Sequence, residues 1–162
     1  MYETLRFLVA DDNTSVRMII KEILRGFGAG AVEWAADGDA ALQLLKAMSF
    51  DVLITDMVMP GVSGVELAKT VRSGGARTKA DIPIIMLSGN MDRAVLVAAR
   101  NAGVSEFVAK PVVVAHLHAR LEACLRKPRP FVRSAGYTGP CRRRNGGSFP
   151  FTDRRGRKTV LI

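Results

Sequence analysis

Five short apolar runs, each followed by a stretch of helical periodicity, constrain this chain more than any other feature. The runs cover residues 5–10, 31–36, 52–55, 83–87 and 107–109. Their length and β-branched content favour strands, and the first, third and fourth are apolar enough for burial on both faces. Between the first two, Val16, Ile19, Ile20, Ile23, Leu24 and Phe27 mark one face of a helix. Asn13 or Thr14 is its N-cap, and Gly26 and Gly28 supply its stop. The periodicity predicts further helices over 39–48, 64–72, 91–102 and 113–126. Five strand–helix alternations imply an α/β fold, a parallel sheet with helices on both faces and right-handed crossovers.

In open sheets of this kind ligands sit beyond the carboxyl ends of the strands. Polar chemistry is therefore expected directly after the apolar runs, and four of the five supply it. Asp11 and Asp12 follow the first run, Asp56 the third, Ser88 the fourth and Lys110 the fifth. The second contributes nothing obvious; Asp37 begins its loop. Taken singly, Asp11 and Asp12 read as a helix-capping pair, Lys110 as a solvated cation and Ser88 as a turn former. Together on one rim they outweigh those readings. Three converging carboxylates repel one another unless a cation sits between them. Mg²⁺ suits the role, since it takes one or two carboxylates and keeps several waters. Asp12 and Asp56 are the natural direct ligands, with Asp11 acting through a metal-bound water. A carboxylate is also a competent nucleophile toward phosphorus. Transfer then needs positioning and charge stabilisation, for which Lys110 offers a cation and Ser88 a hydroxyl donor.

The segments FLVADD at 7–12, DVLITDMVMPGVSGVEL at 51–67, PIIMLSG at 83–89 and FVAKP at 107–111 resemble a response-regulator receiver domain of two-component signalling, over about residues 4–126. The resemblance implies a flavodoxin-like, doubly wound sheet of five parallel strands with five helices. It implies Asp56 as phosphoacceptor, Asp11 and Asp12 as the acid pair holding Mg²⁺, and the main-chain carbonyl of Val58 as a further metal ligand. Ser88 and Phe107 take the family's switch positions, and Lys110 contacts the acyl phosphate across a cis Lys110–Pro111 bond. As a phenylalanine, Phe107 has no hydroxyl to offer outward, so its readout relies on packing. Val58 and Asn90 flank the path of an attacking water and imply a phosphoryl lifetime of intermediate length. Such a chain catalyses only its own phosphorylation and dephosphorylation. The implied partners are a sensor histidine kinase or phosphotransfer protein and a downstream protein target. The fourth helix, fifth strand and fifth helix are the expected output face, as in stand-alone chemotaxis regulators. A phosphatase of the haloacid-dehalogenase type fits poorly: its nucleophile follows the first strand, with a second Asp two residues later. Here Asp11 and Asp12 are adjacent, and Val58 stands two residues after Asp56.

Composition bears mainly on the remainder. Residues 1–126 hold 14 Lys+Arg against 14 Asp+Glu, whereas 127–162 hold 10 against Asp153 alone, so the whole net charge of +9 lies in the tail. A receiver domain over 1–126 followed by an irregular, Pro/Gly-rich basic tail is the expected organisation. The tail interleaves its basic residues with Phe131, Tyr137, Phe149 and Phe151. It suits an intramolecular role, a protein partner, single-stranded nucleic acid or an anionic surface. A scaffold working through this tail is the alternative function. No apolar run reaches the ~18 residues of a membrane span, and no leader pattern is present, so the expectation is a cytoplasmic protein. Cys124 falls on the apolar stripe of the fifth helix and reads as a small buried hydrophobe. Cys141 gets no role. His116 and His118, two apart, do not share a face and read as exposed and silent.

Overall fold

The structure, a computed structural model, describes residues 2–89 and 92–142, together with the backbone of 160–161. The most continuously apolar runs take the middle of the main sheet. These are β1 (Arg6–Ala10), β3 (Val52–Asp56) and β4 (Ile84–Ser88), with β3 and β4 buried along their full length. The more polar β2 (Ala31–Ala35) and β5 (Glu106–Ala109) form the edges. The order is β2-β1-β3-β4-β5 and every pairing is parallel. This is the flavodoxin-like doubly wound order, with its switch point between β1 and β3.

Five helices cover the two faces: α1 (Thr14–Gly26), α2 (Gly38–Ala47), α3 (Gly64–Ser73), α4 (Arg93–Asn101) and α5 (Val114–Arg126). Strand residues alternate strictly between two cores. Phe7, Val9, Val52, Ile54, Ile85 and Leu87 pack with α1 and α5, through Ile20, Leu24, Leu117 and Leu121. Leu8, Ala10, Leu53, Ile84 and Met86 pack with α2, α3 and α4, through Leu45, Leu67, Val71 and Ala99. The period of two along a strand buried on both sides produces this division. Local chemistry sets the helix starts. Asn13, rather than Thr14, caps α1 by accepting from the Ser15 and Val16 N–H groups. Ser63 and Glu66 form a reciprocal capping box on α3.

The expectation of an irregular chain after residue 126 is corrected over residues 131–140. There β6 (Phe131–Ser134) and β7 (Tyr137–Pro140) pair as an antiparallel hairpin around a two-residue turn, and β8 (Val160–Leu161) adds to the other side of β6. Strands of four residues carry too few apolar positions to show a period, and the hairpin is held instead by contacts remote in sequence. Phe131, Val132 and Cys141 are buried. Tyr137 keeps its hydroxyl on the Pro140 carbonyl at 2.7 Å and its ring under Arg142, 4.3 Å from the centroid. Two of the aromatic residues considered for base stacking are thus engaged within the chain; Phe149 and Phe151 lie outside the described residues. Cys124 is buried as expected, and desolvation, then Glu106, push its thiol up to about 12. His116 is exposed, and His118 meets Phe27 edge-on at 4.9 Å.

Candidate functional site

Parallel strands deliver their carboxyl ends to one rim, and that rim gathers the acidic residues. Asp11 follows β1 directly and is fully buried, Asp12 beside it is exposed, and Asp56 ends β3 with 8% of its surface exposed. Carboxylate oxygens of the three lie within 4.8 Å of one another. Lys110, just beyond β5, reaches between them, its Nζ 2.8 Å from Asp11 Oδ2 and 2.7 Å from Asp56 Oδ2. Its own N–H donates to the Ser88 carbonyl at 2.9 Å, which extends the β4–β5 ladder to the site. Ser88, buried at the end of β4, turns its hydroxyl toward Met57 Sδ at 4.0 Å. The Lys110–Pro111 peptide bond is cis.

The loops at the rim are set by backbone contacts. Asn13 N–H donates to Asp11 Oδ1 at 2.9 Å, and Met57 N–H to Asp56 Oδ1 at 2.7 Å. Gly64 closes the loop after β3: its N–H donates to the Met57 carbonyl, and a Cβ there would stand 2.0 Å from the Asp56 carbonyl oxygen. Only glycine fits so close to another backbone. Arg17 is a site residue that the sequence reading missed. Its guanidinium donates to the Asp11 carbonyl at 2.7 Å and to Thr14 Oγ1 at 3.0 Å, fixing the loop that carries both acids. Its place in the first turn of α1, six residues after Asp11, was the available signal.

Charge and burial are in tension at this rim. Burial pushes the Asp56 carboxyl above the usual range. Lys110 opposes this by hydrogen bond and charge, Asp11 adds to it, and the Met57 N–H works against it. Burial also pulls on Lys110, but Asp11 and Asp56 outweigh it and hold the ammonium above its ordinary value. Among the described residues, Asp11 Oδ2 is the buried side-chain oxygen that receives no directed hydrogen bond, although it touches the Lys110 charge. Three carboxylates that converge with Lys110 as the cation between two of them form a set of hard oxygen atoms that fits a small divalent cation.

Of the other expected site residues, Phe107 is half-buried against the core on the α2–α3–α4 side. Val58 lies in the loop beyond Asp56 with 75% of its surface exposed. Asn90 lies outside the described residues.

The family model of the response regulator receiver domain matches residues 7–122. The chemotaxis protein CheY of Pseudomonas aeruginosa is 36% identical over 118 residues, spanning 73% of this chain and 94% of the relative. CheY-3 of Vibrio cholerae is 32% identical over 120 residues, spanning 74% and 91%. Among solved structures, chemotaxis protein CheY4 of Vibrio cholerae matches with a TM-score of 0.68 at 30% identity, over 75% of this chain and 98% of that one. The receiver domain of a Pseudomonas aeruginosa sensor histidine kinase, solved with a magnesium ion coordinated in its active-site cleft, matches with a TM-score of 0.65 at 25% identity, over 73% and 94%. Receiver domains are signalling modules that work with histidine kinases or phosphotransfer proteins. With the fold, the acidic rim and the matched segment in agreement, this chain belongs to the response-regulator receiver family.

Proposed function

We propose that the chain is a phosphorylation-dependent response regulator that accepts a phosphoryl group on Asp56 from a histidine kinase and signals by protein contact. The observation that carries this reading is the placement of Lys110 between Asp11 and Asp56, with a third carboxylate within 4.8 Å. Asp56 Oδ attacks phosphorus as the bond to the donor breaks, leaving an acyl phosphate on the side chain. Lys110, already in contact with that carboxylate, stays within reach of the incoming phosphoryl oxygens. Ser88 supplies a hydroxyl donor from the neighbouring strand end. Asp11, Asp12, Asp56 and the Val58 carbonyl are the residues proposed to hold Mg²⁺, which when bound supplies charge neutralisation for the phosphoryl oxygens. Movement of the Ser88 hydroxyl toward the phosphate then shifts Phe107 between two packings, a population shift in an existing equilibrium. The chain's own chemistry is limited to gaining and losing this group. Intact mass after incubation with a small phosphodonor tests the reading.

Metal binding has a readout independent of phosphorylation. Mg²⁺ at a hundredfold excess over its Kd should stabilise the protein by about 2.7 kcal/mol, on the order of 5–10 °C in melting temperature. Asp12→Asn should lose most of that shift. A melting temperature indifferent to Mg²⁺ would remove the metal site from the proposal.

Lifetime is open to a separate test. The exposed Val58 side chain stands two residues beyond the acceptor, where it screens the approach of water. Val58→Asn, placing a polar group on that approach, should speed loss of the phosphoryl group about tenfold, or ~1.4 kcal/mol of barrier. Following the adduct by mass after removing the donor measures it, and an unchanged rate rejects the screening role.

A further inference from the structure

Both ends of β5 are held by groups from elsewhere in the chain. At the carboxyl end Lys110 is pinned between Asp11 and Asp56. At the amino end the C-terminal extension takes hold. Arg129 donates through Nη2 to the Ser105 carbonyl and through Nη1 to the Cys141 carbonyl at 3.1 Å, and the buried Glu106 carboxylate lies 3.9 Å from Nη2. The Cys141 N–H donates in turn to the Pro130 carbonyl at 2.7 Å, closing the neck of the hairpin. The hairpin backbone lies directly on Gly103, where φ is +89° and a Cβ would stand 2.6 Å from the Thr138 carbonyl oxygen. Beneath it, Arg72 bonds Gly103 O and Ser105 Oγ and carries the Phe131 ring 5.4 Å from its guanidinium carbon.

Residues 103–106 are therefore the seat of the hairpin, and they run without a break into Phe107 and Lys110. The four residues of β5 span only ~13 Å and pair on one side, to β4. An edge strand this short is displaced as a unit, so a hold on one end is felt at the other.

We infer that the β6–β7 hairpin is a clamp on β5, stabilising the arrangement in which Lys110 faces two unmodified carboxylates. Docking of the hairpin and phosphorylation of Asp56 then oppose each other. A phosphoryl group on Asp56 gives Lys110 a new partner further out, and an anchored β5 resists following it. Coupling between two sites is reciprocal: releasing the hairpin favours phosphorylation, and phosphorylation loosens the hairpin. The mechanical half of this inference stands on the contacts alone; the coupling half rests on the phosphorylation reading above.

Amide hydrogen exchange on the full chain separates the two halves. In Arg129→Ala, β5 amides, including the Lys110 N–H on Ser88, should exchange about tenfold faster, while β1 amides keep their rates. Faster exchange confined to residues 131–142, with β5 unchanged, overturns the clamp whether or not Asp56 takes phosphate. With Mg²⁺ and acetyl phosphate, the adduct read by intact mass should form about fivefold faster in Arg129→Ala, and the wild-type hairpin should lose protection as the adduct accumulates. Equal rates of adduct formation overturn the coupling. If neither protein forms an adduct, the phosphorylation reading fails, and the β5 exchange comparison decides the clamp by itself. Should Arg129→Ala misfold, Arg129→Lys keeps the charge, loses the two-pronged bond and carries the same comparison.

Discussion

Asp56→Asn should leave the protein folded and unable to take up phosphate. After incubation with Mg²⁺ and acetyl phosphate, the wild type is expected to gain one phosphoryl mass and the variant none. The amide is nearly the same size as the carboxylate, and its one oxygen keeps the bond from the Met57 N–H, so the loop after β3 is preserved, while its NH2 replaces the oxygen that accepts from Lys110. What it lacks is the anionic oxygen that the proposed reaction needs to attack phosphorus. The same variant should melt at a higher temperature than the wild type when both are free of metal at neutral pH. Burial holds the Asp56 carboxyl above its ordinary range. Between the ordinary and the raised value the folded state binds more protons than the unfolded one. Stability from this group therefore falls as pH rises through that window and stays low above it. Asparagine removes the titration and with it that loss. A phosphoryl adduct on the variant would move the acceptor elsewhere, and a lower melting temperature would mean that the attraction of Lys110 outweighs burial.

Arg72→Ala is expected to be the most damaging substitution far from the site, costing about 3–5 kcal/mol in urea unfolding. The guanidinium is 3% exposed and faces no carboxylate among its hydrogen-bond partners. It donates to the carbonyls of Gly103, Ala80 and Ile82, at 2.9, 2.6 and 2.8 Å, and to Ser105 Oγ at 3.3 Å. Removing it strands several buried acceptors at once, and the desolvation of each is then uncompensated. Burial lowers its pKa to about 10, so it remains protonated at neutral pH. Charge alone does not do this work; the planar fork does, because it reaches two separate segments, 80–82 and 103–105, from one position. Arg72→Lys should accordingly recover little of the loss. Recovery of most of it would mean that charge, and not the span of the fork, holds these segments.

The main sheet was legible because its strands are buried on both faces, which writes β1, β3 and β4 as unbroken apolar runs with ends within a residue or two of those observed. The rim was legible for a related reason: once the strands are parallel, whatever follows them must share one edge. Arg72 was not. On the sequence it is a cation in the last turn of a helix, where solvent and the helix dipole explain it well enough. Its burial depends on the loop around Ala80 and on Gly103, thirty residues away. Arg129 and the hairpin fail to announce themselves for the same reason. A run of basic residues with proline and glycine reads as solvated chain, and nothing local indicates that the Arg129 guanidinium meets the Ser105 carbonyl or that Phe131 stacks on Arg72 of α3. Arg17 escaped because the group it holds is a main-chain carbonyl, which every residue has.

The strict alternation of the central strands separates residues that are neighbours in the chain. Leu53 and Ile54 are joined by one peptide bond, yet they face opposite cores, with Leu67 and Val71 around the first and Ile20 and Leu117 around the second. The sheet acts as a partition through which packing defects do not pass. A small residue at Leu53 would be repaired from α3 and never from its neighbour Ile54, so the two halves of the interior are free to drift apart in composition while sharing every strand.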